Sequence, residues 1–543
     1  MKRFAIFVFS LFALLVANLS ALAQPIGYHM PVTDDDGMLL PWFDPDPATS
    51  YDHVLRILFS WWSSGINPIT GDPWYMAHQK WNTIDGVPEP EPTDAGIAGD
   101  QFAMAISSWS LFYDYTGDRT VLDNIVRIAD YYINHSLSPP SATWGNLPYP
   151  YNVHGDDAPV IYDGDMVQGE GVLQPDKAGS FGAELIVLYK KLETQRYLTT
   201  AIGIADRLAR LIGPGDADNS PWPFRVNAIT GEVIDPYTTN FTGALRLFDG
   251  LIALGQGDVA AYTTAASTLS AWLRDSAYSP IQTQRWGPFF EDVPIYSDTE
   301  TNADTLAWHI LEHPQWDSNW QRDARSILDA TEDQFGDDGT YSRYGVLVIM
   351  EQTAYMFMGN SHTARHSSVE LVYSEKTNDN TKKPQAIRSL NWATYWVDDD
   401  GKNLYPNGEI WYSDGYGDYA RHFLRAMAAA PELSPRNQDH LLQTSSVIQT
   451  VTYGIRSIGY TTFDKAAREL LRVTFRPGAV VAGGVPLNRL STRSELEVRE
   501  GYTFEAPGDV EGVLRIRHDR SGQIVISASG AGPTESKAVL SAQ

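Results

Sequence analysis

The residues best placed to do chemistry fall in two short stretches. The first is Ser361-His362-Thr363-Ala364-Arg365-His366-Ser367. His362, Arg365 and His366 stand at i, i+3 and i+4, so they share one face of a helix. Asn360 or Ser361 is a natural cap for that helix. Three potentially cationic groups on one face suit a carboxylate or a sulfate. The two histidines could also ligate metal, but no Glu stands between them as in HExxH, and no metal is expected. The second stretch runs from Trp411 to Tyr419, WYSDGYGDY, with Arg421 and His422 one turn further on. Its glycines let a ligand approach the backbone closely. Asp414 and Asp418 can accept from sugar hydroxyls, and Tyr416 can stack on a sugar face. Each stretch also has a structural reading: histidines packing a helix start against loops, and a helix cap flanked by core aromatics.

Acids and aromatic rings are dense elsewhere too. Residues 139–176 include Trp144, His154 and Asp165, residues 278–299 include Trp286 and Glu291, and Glu351 precedes the SHTARHS helix. Glycoside hydrolysis needs one carboxylic acid to protonate the leaving oxygen and one carboxylate as base or nucleophile. Asp165, Glu291, Glu351 and Asp414 are the candidates for that pair. Trp144, His154, Lys177, Trp286, His362, Arg365, His366, Tyr416, Asp418 and Arg421 are the candidates for binding substrate. No cofactor is expected: the sequence has no phosphate loop, dinucleotide fingerprint or GxSxG elbow. Two DDDG sequences, Asp34 to Gly37 and Asp398 to Gly401, lack the spacing and closing Glu of a calcium loop and are expected to be solvated turns.

Six helical hairpins in series are predicted to position these groups. Helices start near Asp100, Asp176, Asn240, Asn302, Ser361 and Asp414, about 55 to 75 residues apart, each followed by a short turn and a second helix. Ile128-Ala129-Asp130 recurs as Ile204-Ala205-Asp206 at the matching place in the next hairpin. One hairpin cannot bury its own apolar face, so the stack must share a core. The first helices are predicted to form an inner ring, with Gly179, Gly182, Gly243 and Ala244 letting neighbours crowd together. Outer helices are predicted at about 119–138, 195–212, 258–277, 316–335 and 380–397, and the segment 51–64 supplies the sixth. The fold class is mainly α: an (α/α)6 toroid with a small C-terminal antiparallel β-domain. Connections between hairpins are long and lie together at the N-terminal ends of the inner helices. Long loops in a compact domain are usually functional, and helix N-termini there favour oxygen-rich or anionic ligands.

Three regions are expected. Residues 1–23 have the pattern of a secretory signal: basic Lys2 and Arg3, an apolar run, then Ala21-Leu22-Ala23. This implies export to the periplasm or beyond, and no later stretch is apolar enough to span a bilayer. Residues 24–445 are assigned to the toroid. Residues 446–543 are assigned to the β-domain, where LLRVTFRP, AVVAG, ELEVREGYTFEA, GVLRIRHD and QIVISA alternate with turn residues. Loss of Lys2 and Arg3 takes the formal charge from −27 to −29, which argues against a nucleic-acid partner. The absence of cysteine excludes a disulfide scaffold, a thiol nucleophile and thiolate metal ligands.

The signal segment, the six hairpins and the repeated IAD resemble the six-hairpin glycosidase superfamily over about residues 50–435. The resemblance is one of architecture and carries over no catalytic motif. It implies an enzyme acting on carbohydrate, but fold alone does not choose among hydrolases, polysaccharide lyases and sugar epimerases. The expectation is a secreted glycoside hydrolase acting on a poly- or oligosaccharide. One alternative is a lyase performing β-elimination on a uronate polymer, with Arg365 and His362 neutralising the carboxylate and Tyr416 or His366 as base. Another is a non-catalytic glycan-binding protein. A basic cluster inside so acidic a chain predicts an anionic substrate group, most simply a uronic acid, held bidentately by Arg365. The competing expectation is that Arg365 and Arg421 pair internally with Glu351, Asp414 or Asp418.

Overall fold

The computed structural model describes residues 24–529, apart from 67–72, 77–79, 85–86, 91–98, 154–160, 291–295, 338, 407 and 507–509, and apart from the side chains of 74, 80–84, 87–90, 99–101 and 413. The signal segment, His154 and Glu291 therefore lie outside the described residues.

Twelve helices of the described residues build the ring: α1 (Pro47–Ser64), α2 (Gly99–Thr116), α3 (Arg119–Ser136), α4 (Pro175–Leu192), α5 (Gln195–Leu211), α6 (Thr242–Leu254), α7 (Val259–Ser270), α8 (Glu300–Glu312), α9 (Trp320–Phe335), α10 (Asn360–Thr377), α11 (Lys383–Thr394) and α12 (Tyr419–Ala429). Each even-numbered helix from α2 to α12 packs on the next, and α12 returns to α2, which closes an inner ring. Five odd-numbered helices pack outside their hairpin partners. The sixth outer place is taken by α1, through Tyr51 edge-on to Phe423 and Trp61 stacked on Tyr416, each pair 5.0 Å between centroids. This is the (α/α)6 toroid expected from the sequence.

The local causes are plain. Asp46, Asp118 and Asp258 accept backbone N–H groups at the starts of α1, α3 and α7, and Pro175 opens α4. Outer helices bury one stripe: α5 buries Tyr197, Leu198, Ala201, Ile204, Ala205 and Leu208. Inner helices are enclosed on all sides. Every residue of α10 from Asn360 to Ser374 is buried, so its polar side chains must find partners inside the protein. The outer helices are mostly shorter than expected. α7 relaxes into a π-helical turn at Ala271–Asp275, and α11 starts at Lys383, just before Pro384. Small residues do bring α4 and α6 together: a Cβ on Gly179 would lie 2.9 Å from the Ala244 Cβ, and one on Gly243 would lie 2.6 Å from the Ser180 Cα.

The C-terminal strands are β1 (His440–Thr444), β2 (Ile448–Gly454), β3 (Ser457–Thr462), β4 (Ala467–Val473), β5 (Pro477–Ala482), β6 (Val485–Pro486), β7 (Gly501–Glu505), β8 (Gly512–His518) and β9 (Gln523–Ala528). They form two antiparallel sheets, β1-β4-β8-β7 and β2-β3-β9-β5-β6. The first strand starts at His440. In ELEVREGYTFEA only the second half is a strand; Arg493–Leu496 is a helical turn held by a capping box between Thr492 and Glu495. The sheets dock on the C-terminal ends of α2 and α4. Lys191 Nζ donates to the Ile448 carbonyl at 2.9 Å, and His440 Nδ1 lies 2.9 Å from the Tyr115 carbonyl. One hydrophobic core runs through both parts, with a second around α8, α9 and α10. No helix of the described residues is long and apolar enough to cross a membrane.

Candidate active site

At the opposite end of the ring, the starts of the inner helices gather polar side chains from segments far apart in sequence. Asp176 on α4 accepts from Asn240 Nδ2, just before α6, at 2.9 Å. Glu300 opens α8, and its Oε2 lies 2.6 Å from His362 Nδ1 and 2.6 Å from Arg365 Nη1, both on α10. Arg365 Nη1 also donates to Thr301 Oγ1 at 2.6 Å, while Nη2 pairs with Asp418. One turn along, His366 Nδ1 faces Asp304 Oδ2 at 3.1 Å, with its Nε2 3.6 Å from Glu332 and 3.8 Å from Glu370. Two acids four residues apart on α8 thus meet two histidines four residues apart on α10. Asp418 further binds Arg421 and accepts from His422 Nε2 at 2.9 Å.

Burial sets the protonation of this group. Burial penalises the Asp418 carboxylate, but Arg365, Arg421 and His422 outweigh it and hold its pKa well below the usual range. Burial also disfavours a charged His366, yet Asp304, Glu332 and Glu370 hold it well above the ordinary value, so it is an imidazolium. His422 is pushed down to about 3 by burial and is neutral. Burial raises Glu300 against the opposing pull of Arg365 and His362.

Beside these pairs lie Glu351 and Asp414. Glu351 Oε2 accepts from Tyr405 at 2.8 Å, and Oε1 accepts from Gln352 Nε2 at 3.1 Å. Asp414, in the π-helical turn Ser413–Asp418 that leads into α12, is enclosed. Burial, with the charges of Glu351 and Asp418, pushes its pKa up to about 7 against the pull of His362 and Arg365. A carboxyl group in that state still carries a proton near neutral pH and can donate it.

Of the candidate acids, then, Glu351 and Asp414 lie near enough for the charge of one to act on the other. Asp165 does not join them. It is wholly buried, its Oδ2 held by Arg225 Nε at 2.9 Å and Gln174 Nε2 at 2.6 Å, and its Oδ1 caps a turn through the N–H groups of Val167 and Gln168. Its role is to join two connections. Trp144 and Trp286 are core residues, the latter fully buried with its indole N–H on Gln334 at 3.0 Å. Tyr416 is buried beneath Trp61, and its hydroxyl donates to the Gly401 carbonyl at 3.0 Å and accepts from the Asn403 N–H, so it is neither a stacking platform nor a base. Lys177 Nζ donates to the Phe289 carbonyl at 2.6 Å and sits 3.5 Å from Asp176.

The largest correction concerns the basic cluster. Arg365, His366 and Arg421 each face a carboxylate of the protein, and the Arg365 fork is filled by Glu300, Thr301 and Asp418. Internal pairing, the competing expectation, accounts for these charges: both Arg365 Nη groups are engaged and only its buried Nε lacks a partner, which leaves no pair of nitrogens for a bidentate grip on a uronate. The base role given to Tyr416 falls, since its hydroxyl is bonded to Gly401 and Asn403, and the acids facing His366 favour its protonated form. The sequence reading missed Glu300, Asp304 and Tyr405. The i, i+4 spacing of Glu300 and Asp304, mirrored by His362 and His366 in the next hairpin, was the available signal. The two DDDG sequences are turns as expected, with Asp34 and Asp398 accepting backbone N–H groups.

No family model and no curated protein sequence matches the chain. Its fold, the (α/α)6 toroid, is shared with solved sugar epimerases. It is similar to cellobiose 2-epimerase from Bacillus thermoamylovorans (TM-score 0.51, 12% identity), covering 69% of this chain and 98% of that one. It is also similar to cellobiose 2-epimerase from Spirochaeta thermophila (TM-score 0.50, 14% identity, 71% and 97% covered). A sugar epimerase from a ruminal bacterium aligns comparably (TM-score 0.50, 10% identity, 70% and 98% covered). At these identities the likeness is one of fold.

Proposed function

We propose that this protein is a carbohydrate-active enzyme, and specifically a glycoside hydrolase in which Asp414 donates a proton to the leaving oxygen and Glu351 is the partner carboxylate. The observation that carries this reading is the pairing of the two acids: burial and the charge of Glu351 keep Asp414 protonated up to about pH 7, while Tyr405 and Gln352 fix the Glu351 carboxylate. The fold supports the substrate class by analogy, since toroids of this shape include enzymes named for their action on sugars. The substrate proposed is a poly- or oligosaccharide.

A second reading is favoured by one observation. His362 is oriented by Glu300 through Nδ1, which leaves Nε2 for proton abstraction from a sugar carbon, the first step of epimerisation or β-elimination. Product analysis across a panel of neutral and uronate oligosaccharides separates the readings. Hydrolysis releases new reducing ends, elimination gives an ultraviolet-absorbing unsaturated product, and epimerisation changes neither chain length nor absorbance. Asp414→Asn and Glu351→Gln should each lower release of reducing ends by about a hundredfold or more. Full activity in both variants removes the hydrolase assignment. Binding without any product across the panel points to a glycan-binding protein.

A further inference from the structure

The interior of the ring continues past the candidate active site. A cavity of about 60 Å³ is bounded by four arginines, Arg246, Arg365, Arg421 and Arg425, and its acids among the described residues are Glu184 and Asp304. A second cavity, of about 250 Å³, lies at the C-terminal ends of the inner helices and reaches β1. The two share Glu184, Arg246, Trp308 and Arg425 as walls.

Apart from Glu375, an exposed carboxylate on the rim of the larger cavity, and Arg425, the charges around these cavities can be paired off. Arg246 holds Glu184 at 2.9 Å, and Arg365 and Arg421 hold Glu300 and Asp418. Asp304 is taken by His366. In the larger cavity Lys191 meets Asp114 at 2.6 Å and Lys376 meets Glu312 at 3.6 Å. Arg425 is left over. Among the described residues none offers it a hydrogen bond or an ion pair; its guanidinium lies over Trp308, 4.0 Å from the ring centroid. Trp308 thus holds the cation at the junction of the two cavities without neutralising it. Burial, together with Arg421 and Arg246, pushes the Arg425 pKa well below that of an ordinary arginine, and the more distant Asp418 and Glu312 only partly oppose it. Arginine does not escape such a site by losing its proton.

We propose that this junction binds a compact oxyanion, an inorganic phosphate or sulfate or a small carboxylate, gripped by the Arg425 fork with Arg246 alongside. A guanidinium presents parallel N–H groups that match two oxygens of such an ion. The smaller cavity's 60 Å³ exceeds the roughly 10–15 Å³ that one water needs, so a small polyatomic ion has room. The site is separate from Asp414 and Glu351 and does not depend on the reaction assigned to them.

The test is thermal unfolding and calorimetric titration of the whole protein with sodium phosphate, sulfate or acetate at constant ionic strength, chloride making up the balance. Wild type should gain melting temperature saturably with at least one of these anions. Arg425→Met should lose that response and, in chloride alone, unfold no lower than wild type, because it removes an unpaired charge. Arg425→Lys should fold and bind at least tenfold more weakly. Response to phosphate and sulfate alone marks an inorganic ion as the natural occupant; response to acetate as well marks the carboxylate class. Equal responses in wild type and Arg425→Met overturn the proposal, as does a wild type that responds to none. A Met variant that fails to fold overturns it too, since Arg425 would then have an internal structural role.

Discussion

The imidazole of His362 and the carboxylate of Glu300 meet at 2.6 Å across two neighbouring inner helices, α10 and α8. That contact gives a direct way to separate the two catalytic readings. In its cationic form His362 also pulls the pKa of Asp414 down against burial. If Asp414 is the acid, His362→Asn should move the alkaline limb of the pH–rate profile upward and leave the plateau within about tenfold. Loss of activity at every pH would instead identify His362 as the base.

Asp414 sets a pH dependence of its own. Its pKa is about 7 in the folded chain and 3.8 when unperturbed, so the folded state binds the proton more tightly. The stability this gives is present at low pH and is lost as pH rises from about 4 to about 7. Asp414→Asn should flatten that part of the stability curve, and above pH 7 it should unfold at higher denaturant than wild type. Wild-type turnover should fall above about pH 7 as the acid ionises. A variant with an unchanged pH–stability curve would place Asp414 in a solvated setting.

Arg365→Lys keeps a charge but cannot reach Glu300, Thr301 and Asp418 together. It should cost about 3 kcal/mol of stability, the usual scale for breaking a buried pair. Any loss of activity should be the same on neutral and uronate substrates. A selective loss on uronates, measured as kcat/KM on matched oligosaccharides, would show that the arginine reaches the ligand.

Asp165→Asn should behave as a structural lesion. It weakens the Arg225 pair while Asp235 still holds that arginine at 2.8 Å, so a loss of about 2–3 kcal/mol is expected. Turnover per folded molecule should stay within about twofold of wild type, a change worth only a few tenths of a kcal/mol. A hundredfold drop in active-site-titrated enzyme would return Asp165 to the catalytic candidates.

The ring was legible because its signals are local. Caps such as Asp118, turns such as Thr116-Gly117-Asp118 and the stripe of α5 each depend on residues a few places apart. Strands β2 and β3 were not singled out: IQTVTYG and SIGYTT mix Gly and Thr with apolar residues, and much of their order comes from pairing with each other and with β9. The SHTARHS and WYSDGYGD stretches did mark the polar end of the ring. What they could not give was the pairing. Glu300 meets His362 across 62 residues and Arg365 meets Asp418 across 53, and both depend on the register in which inner helices pack. Sequence spacing therefore offered Arg365 both to a ligand and to an internal acid, Asp418 among them, and only the packed helices chose Asp418.

The sixth hairpin has a consequence for how the molecule is made. Its inner helix, α12, ends at Ala429, but its outer partner, α1, begins at Pro47, so one pair is built from the two ends of the ring's sequence. Five pairs can close between neighbours as a chain leaves the ribosome. The last must wait while α1 stands with Tyr51 and Trp61 uncovered, on the order of tens of seconds at ordinary synthesis rates. The circle is sealed by its most distant contact, and that late, long-range step is where folding should be slowest and most open to misassembly.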